Sequence, residues 1–189
     1  MKKFIFTIAL LLVVAAQSFA QNFQVFIGKD NDIRLIGEQQ RFTEKVFDYA
    51  YVEAAEYGGY VQLIHEQTFW KSLALHAEFR TTFAETIGIL GPGWTFGFNT
   101  GTIGVQALCR YDNAGFNAQM SGVYSFDWGF MNLYGYADVW GQKDVSLFSE
   151  TRLYFPVVKE HFELGGILDI AEFGGEFSYT PYLGLKYLF

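Results

Sequence analysis

The sequence predicts an all-β fold: a closed antiparallel up-and-down transmembrane β-barrel of about twelve strands. Three observations predict it. Hydrophobic residues make up 51 % and aromatics 20 % of the chain, with 21 Phe and 12 Tyr. Beyond the first twenty residues, however, no apolar run approaches the ~20 residues a membrane helix needs, whereas a tilted strand crosses with ~10, every second one apolar. The chain also divides into short segments of period-two alternation separated by turns, and its two ends carry the marks of export and of a closing membrane strand.

The N-terminus is laid out as a signal peptide. Lys2 and Lys3 precede an apolar run from Phe4 to Ala16, and Ser18-Phe19-Ala20 offers a small-x-small cleavage site before Gln21. The expected division is therefore 1–20 as leader and 21–189 as one barrel domain. No Cys follows the cleavage site to carry a lipid anchor. The formal net charge is −7, and loss of the leader removes two more positive charges. Such a balance argues against a nucleic-acid polymer as partner, since phosphates require a basic surface. The single cysteine, Cys109, excludes an internal disulfide.

Strands are expected at roughly 22–28, 32–42, 46–56, 60–69, 73–82, 94–100, 103–111, 116–126, 130–140, 144–155, 161–171 and 177–189. Pro92 and Pro156 are the only prolines outside the terminal strand, and Val, Thr, Tyr and Phe abound. Leu73, Leu75, Ala77 and Phe79 alternate with Ala74, His76, Glu78 and Arg80. Val145, Leu147, Leu153 and Phe155, sharing their face with Ser149 and Thr151, oppose Asp144, Ser146, Glu150 and Arg152. Phe162, Leu164, Leu168 and Ile170 oppose His161, Glu163 and Asp169. Each segment thus has one apolar and one polar face.

Three features turn the apolar face outward rather than into a soluble core. The links at Tyr57-Gly58-Gly59, Trp70-Lys71-Ser72, Asp112 to Gly115, Asp127-Trp128-Gly129 and Gly141-Gln142-Lys143 are hairpin-sized. A meander protects its edges only by closing. An even strand number puts both termini on one side, as in bacterial outer-membrane barrels. Trp70 and Trp128 fall at the terminal side and Trp94 and Trp140 at the opposite side, which suggests two interfacial girdles.

In the last strand, Phe177, Tyr179, Leu183, Leu185, Tyr187 and Phe189 share one face, and Ser178, Thr180, Gly184 and Lys186 the other. Tyr182, Gly184, Tyr187 and Phe189 resemble the C-terminal sorting signal of outer-membrane proteins, which implies handling by the barrel-assembly machinery and a location in the bacterial outer membrane after Sec-dependent export.

A wider resemblance is carried by four segments. These are Tyr60-Val61-Gln62-Leu63-Ile64-His65-Glu66-Gln67-Thr68-Phe69-Trp70-Lys71 running on to Leu75-His76-Ala77-Glu78-Phe79, then Gly135-Tyr136-Ala137-Asp138-Val139-Trp140, Ser149-Glu150-Thr151-Arg152, and Leu183-Gly184-Leu185-Lys186. They resemble an uncharacterised Bacteroidota family of outer-membrane proteins, itself similar to the nucleoside-specific channel Tsx. The resemblance implies a narrow channel for small solutes, nucleosides among them. The chain is shorter than Tsx and its outward loops are short, so a selectivity loop can be missing.

By alternation the inward positions include Glu53, Glu66, His76, Glu78, Arg80, Arg110, Asp138, Glu150, Arg152, Glu163, Asp169 and Lys186, with Tyr51, Tyr134, Tyr136, Tyr154 and Tyr182. These residues admit two readings. They can line a selective pore, with Tyr rings stacking on a flat solute and charges binding its hydroxyls. They can instead pair and fill the lumen, Arg80 with Glu66 or Glu78 and Arg152 with Glu150 or Asp138. A soluble ligand-binding barrel is the third alternative. An enzyme is not expected: His65, His76 and His161 are dispersed and none stands in a nucleophile motif. No metal spacing and no phosphate loop is present, so neither metal nor cofactor is expected.

Overall fold

A computed structural model describes residues 21–29, 32–55, 58–82, 84–141, 145–158 and 161–189. The leader and the links through Tyr57 and through 142–144 lie outside the described residues. Twelve strands form one closed barrel: β1 Asn22–Gly28, β2 Ile33–Phe42, β3 Val46–Ala55, β4 Gly58–Trp70, β5 Leu73–Thr82, β6 Thr86–Phe98, β7 Gly101–Asp112, β8 Gly115–Asp127, β9 Asn132–Gly141, β10 Val145–Val158, β11 Phe162–Phe173 and β12 Glu176–Leu188. Every strand pairs antiparallel with its neighbours in sequence, and β1 closes on β12 from Asn22↔Leu188 to Gly28↔Tyr182. Closure gives every strand a partner on both sides, the condition under which backbone N–H and C=O groups tolerate a hydrocarbon environment.

The alternation sorts side chains as expected. Leu63, Leu75, Phe79, Leu164, Leu168, Leu183 and Leu185 are exposed on the outer wall, while Gln62, His76, Glu78, Arg80, Glu163 and Ile167 are buried on the other face. The largest departure from the sequence reading is β6, which starts at Thr86 rather than 94. Gly88, Gly91, Pro92 and Gly93 read as breakers, yet this strand tolerates them. Its ladder to β7 is registered at Leu90↔Cys109 and resumes at Gly93↔Gln106, so the proline falls in the gap. Gly91 is required there. A Cβ at that position would stand 2.3 Å from the Ala107 carbonyl oxygen.

The lengthened β6 corrects the tryptophan pattern. Trp94 pairs with Leu73, at the start of β5, and so lies on the terminal side with Trp70 and Trp128. Trp140 shares the parity of buried Asp138 and lies under the Arg110 guanidinium, 4.6 Å from the ring centroid, so it faces inward. The outer aromatics of the opposite rim are instead Tyr111, Phe116, Phe177 and Tyr179, all more than half exposed. Two aromatic rims are present, but Trp occupies only one of them.

Candidate functional site: the barrel interior

Two ion-pair clusters cross the interior. The first is centred on Arg34 of β2. Its guanidinium donates to Glu53 on β3 (2.8 Å), Glu150 on β10 (3.0 Å) and Asp169 on β11 (2.7 Å), and stacks over Tyr182 of β12 at 4.9 Å. Arg152 of β10 binds Glu150 at 2.5 Å and reaches across the bore to Glu38 of β2. Two arginines therefore face four carboxylates. The second cluster is centred on Arg80 of β5, which pairs with Glu78 on its own strand and with Asp138 on β9 at 2.8 Å. His76 lies 3.2 Å from Glu78 and 3.6 Å from Glu66, and Ser121 donates to Asp138 at 2.6 Å. Period-two alternation aims these groups inward, and closure brings strands four apart within reach.

An inner shell of rings holds the guanidinium groups in place. Arg152 sits between the rings of Tyr51 (5.2 Å) and Tyr134 (5.8 Å), and Arg80 lies over Tyr136 (5.9 Å). Tyr49, Tyr51 and Tyr60 follow one another at 6.2 and 5.7 Å, and Tyr134 stacks on Tyr154 at 5.5 Å. Tyr154 donates to Gln24 on the far side of the β10–β1 span and packs with Phe26, Ile36, Tyr51 and Ile167. Tyr154, Phe26, Gln24, Glu38 and Asp138 are each less than 2 % exposed, so the bore is filled at this waist.

The wall made by β6 to β8 is different. Its inward positions toward the terminal side are Gly93, Thr95, Gly97, Thr102, Gly104, Val123 and Ser125. Gly97 and Ser125 are exposed, and a Cβ at Gly97 would meet nothing within 4 Å. The inward side chains of this wall are thus mostly small, and those nearest the terminal-side rim are exposed. Lys186 and Glu163 pair at 3.0 Å on the opposite wall, while Arg110 and Asp112 pair at 2.7 Å toward the far rim.

All twelve inward polar positions read from the sequence have their side chains inside the barrel, in or beside these clusters. Arg80 takes the expected Glu78, and Arg152 the expected Glu150. Asp138 goes to Arg80 rather than Arg152. Sequence reasoning missed Gln24, Arg34, Glu38, Gln62 and Gln106, all buried. His65 is on the outer wall, paired with Asp48 at 2.7 Å, and His161 is exposed in the β10–β11 turn, so the three histidines do not converge. Of the closing-strand residues, Tyr187 and Phe189 face outward and pack at 5.0 Å. Tyr182 and Gly184 face inward.

The described residues form a closed twelve-strand antiparallel β-barrel with a charged interior, a fold also seen in solved porins. The KdgM porin, solved in complex with disordered oligogalacturonate, superposes with a TM-score of 0.60 over 89 % of this chain and 98 % of its own, at 9 % identity. The NanC porin does so with a TM-score of 0.61 over 89 % and 99 %, at 6 % identity. At these identities the likeness is one of fold. No family model matches the chain, and no curated protein matches it in sequence.

Proposed function

We propose that this chain is a bacterial outer-membrane barrel that passes small solutes through a narrow, acid-biased constriction. The observation that carries the reading is the make-up of the waist, where ion pairs and tyrosines cross the bore beside a small apolar cluster of Phe26, Ile36 and Ile167. Arg34 and Arg152 are outnumbered by Glu38, Glu53, Glu150 and Asp169, and Arg80 by Glu66, Glu78 and Asp138. Lining charge of one sign favours ions and solutes of the other. Such a bore disfavours a polyanion of the kind bound to KdgM and suits neutral or cationic solutes. Tyr136 supplies a ring face, and the Tsx-like segments suggest nucleosides as the class to try first. Glu53, Glu66, His76, Glu78, Arg80, Arg110, Tyr136, Asp138, Glu150, Arg152, Glu163 and Lys186 would form the path. The closing strand, through Tyr182, Gly184, Tyr187 and Phe189, would engage the barrel-assembly machinery after export, leaving the terminal side toward the periplasm.

The near-zero exposure of Tyr154, Gln24 and Glu38 favours a second reading, a non-conducting barrel whose paired charges fill the lumen. Planar-bilayer recording separates the two. A channel gives discrete, cation-selective steps that added nucleosides reduce. Asp138→Asn lowers cation permeability by up to about fivefold, the Boltzmann factor of the ~1 kcal/mol that one unit charge exerts at 4 Å in water. Protein that inserts but conducts nothing, and admits no solute in liposome swelling, establishes the filled barrel.

A further inference from the structure

The outer wall of a closed barrel is convex, yet here it carries a hollow of about 850 Å³. Its floor is made of small residues, Ala50, Ala77, Gly88 and Cys109, and its sides of Leu63, Phe79, Leu90, Tyr111 and Phe116. Strand register shows its course. Arg41 pairs with Asp48, Asp48 with His65, His65 with Ala77, Ala77 with Leu90 and Leu90 with Cys109. Arg41 is the next-to-last residue of β2, at the terminal-side rim, whereas Cys109 stands eight residues up β7 from Gly101. The hollow therefore climbs obliquely from the terminal-side rim across the wall, reaching Tyr111 and Phe116 near the opposite rim. Six inter-strand steps of ~4.8 Å from β2 to β8 give it a length on the order of 29 Å.

Its chemistry changes along that course. The upper part is apolar. The lower end holds Arg41, exposed and without an ion pair among the described residues, because its register partner Asp48 is bonded to His65 instead. Gln39 lies one outward position higher on the same strand and also borders the hollow. An unpaired guanidinium beside hydrocarbon is costly unless it reaches the interface or an anion. Arg binds phosphate with paired N–H donors.

We propose that this groove is a binding site for one phospholipid of the terminal-side leaflet, with its phosphate on Arg41 and an acyl chain lying over Ala50, Ala77, Gly88 and Cys109. The assignment rests on the reading of the chain as a membrane barrel. It gives the outer wall a specific lipid site in addition to its general apolar coat.

The test is native mass spectrometry of the mature protein purified from membranes in mild non-ionic detergent and titrated with phosphatidylglycerol. Two variants alter opposite ends of the groove. Arg41→Gln removes the phosphate partner. Gly88→Leu fills the floor at a position where a Cβ meets nothing within 4 Å, so the fold accepts it. The wild type is expected to retain one phospholipid per barrel, and each variant to weaken retention about tenfold, the scale of one lost charge-assisted contact. Equal retention in all three proteins overturns the site. So does a wild type that carries no lipid, or a dimer that Gly88→Leu dissociates, which would assign the groove to a second copy. Recovery of the wild type in the soluble periplasmic fraction would instead overturn the membrane reading itself.

Discussion

Arg34 contacts carboxylates on three strands, and its side chain is only 7 % exposed. Its replacement therefore tests whether the interior is held by charge. Arg34→Met leaves buried Glu150 and partly buried Glu53 and Asp169 with Arg152 as their one remaining counter-charge among the described residues. Removing one partner of a buried pair costs about 3–5 kcal/mol. Guanidinium unfolding in lipid vesicles should show a loss of that order. The triple variant with Glu53→Gln and Asp169→Asn should recover most of it, because two of the three carboxylates that Arg34 pairs are then neutral and Glu150 keeps Arg152. A single-variant loss under about 1 kcal/mol, the range of an exposed pair, would mean that water already screens the cluster. This residue also marks where the sequence ceased to be legible. In Ile33-Arg34-Leu35-Ile36-Gly37-Glu38 the inward set is Arg34, Ile36 and Glu38. Ile36 belongs to an internal apolar cluster with Phe26 and Tyr154. That one inward isoleucine turns the alternation into an apolar run and hides two charged neighbours. On β5, β10 and β11 the inward charges alternate with outward apolar residues, and there the faces could be read directly. The partners across the bore, Glu38 for Arg152 and Asp138 for Arg80, depend on how the strands are staggered on closing, which no local pattern encodes.

At the scale of the element, the seam between β1 and β12 is where the barrel closes, and Gly184 is its tightest point. A Cβ there would stand 2.0 Å from the Val25 carbonyl oxygen and 2.6 Å from the Phe26 ring. The sequence singled out Gly184 as one position of an export-type signal. The structure adds a packing reason: Phe26, fully buried, lies on it. Gly184→Val should shift the β1–β12 register or hold the seam open, at about 1–3 kcal/mol for an overpacked contact. The measurement is the heat-modified gel mobility of refolded barrel. The variant should lose its compact band at a lower temperature, while Gly122→Val, at a position where a Cβ meets nothing within 4 Å, should not. Equal melting of the two would show that the seam tolerates the side chain. Here too the limit of the sequence is physical. Gly88, Gly91, Pro92 and Gly93 carry turn-like chemistry, yet they extend β6 because β5 supplies a continuous ladder from Leu73↔Trp94 to Thr81↔Thr86. Tertiary pairing overrode local propensity, and the shift of β6 carried Trp94 from one rim to the other.

For the whole molecule, the question is whether the filled waist is a stopper or a constriction. The interior is asymmetric: arginines, carboxylates and tyrosines crowd the arc of β1 to β5 and β9 to β12, and mostly small uncharged residues (Gly, Ser, Thr and Val123) line the terminal-side part of β6 to β8. Tyr154 is the side chain that completes the filled arc. Its ring lies over Gly165, where a Cβ would come within 2.4 Å of it, stacks on Tyr134, and ends in the hydroxyl that reaches Gln24. If the waist is a constriction of an open path, Tyr154→Ala widens it without removing a charge. Single-channel conductance should then rise while the cation preference set by Glu38, Glu150 and Asp138 persists. The variant should also lose about 3–5 kcal/mol of stability, as for a large buried aromatic removed from a packed core. If the waist is a stopper, the same stability loss appears with no change in conductance, because the Arg34 and Arg80 clusters still span the bore. Bilayer recording and denaturant unfolding on the same preparation thus separate a gate from a plug. Arg152→Ala on the Tyr154→Ala background then shows which cluster holds what remains, since Arg152 alone joins Glu38 on β2 to Glu150 on β10.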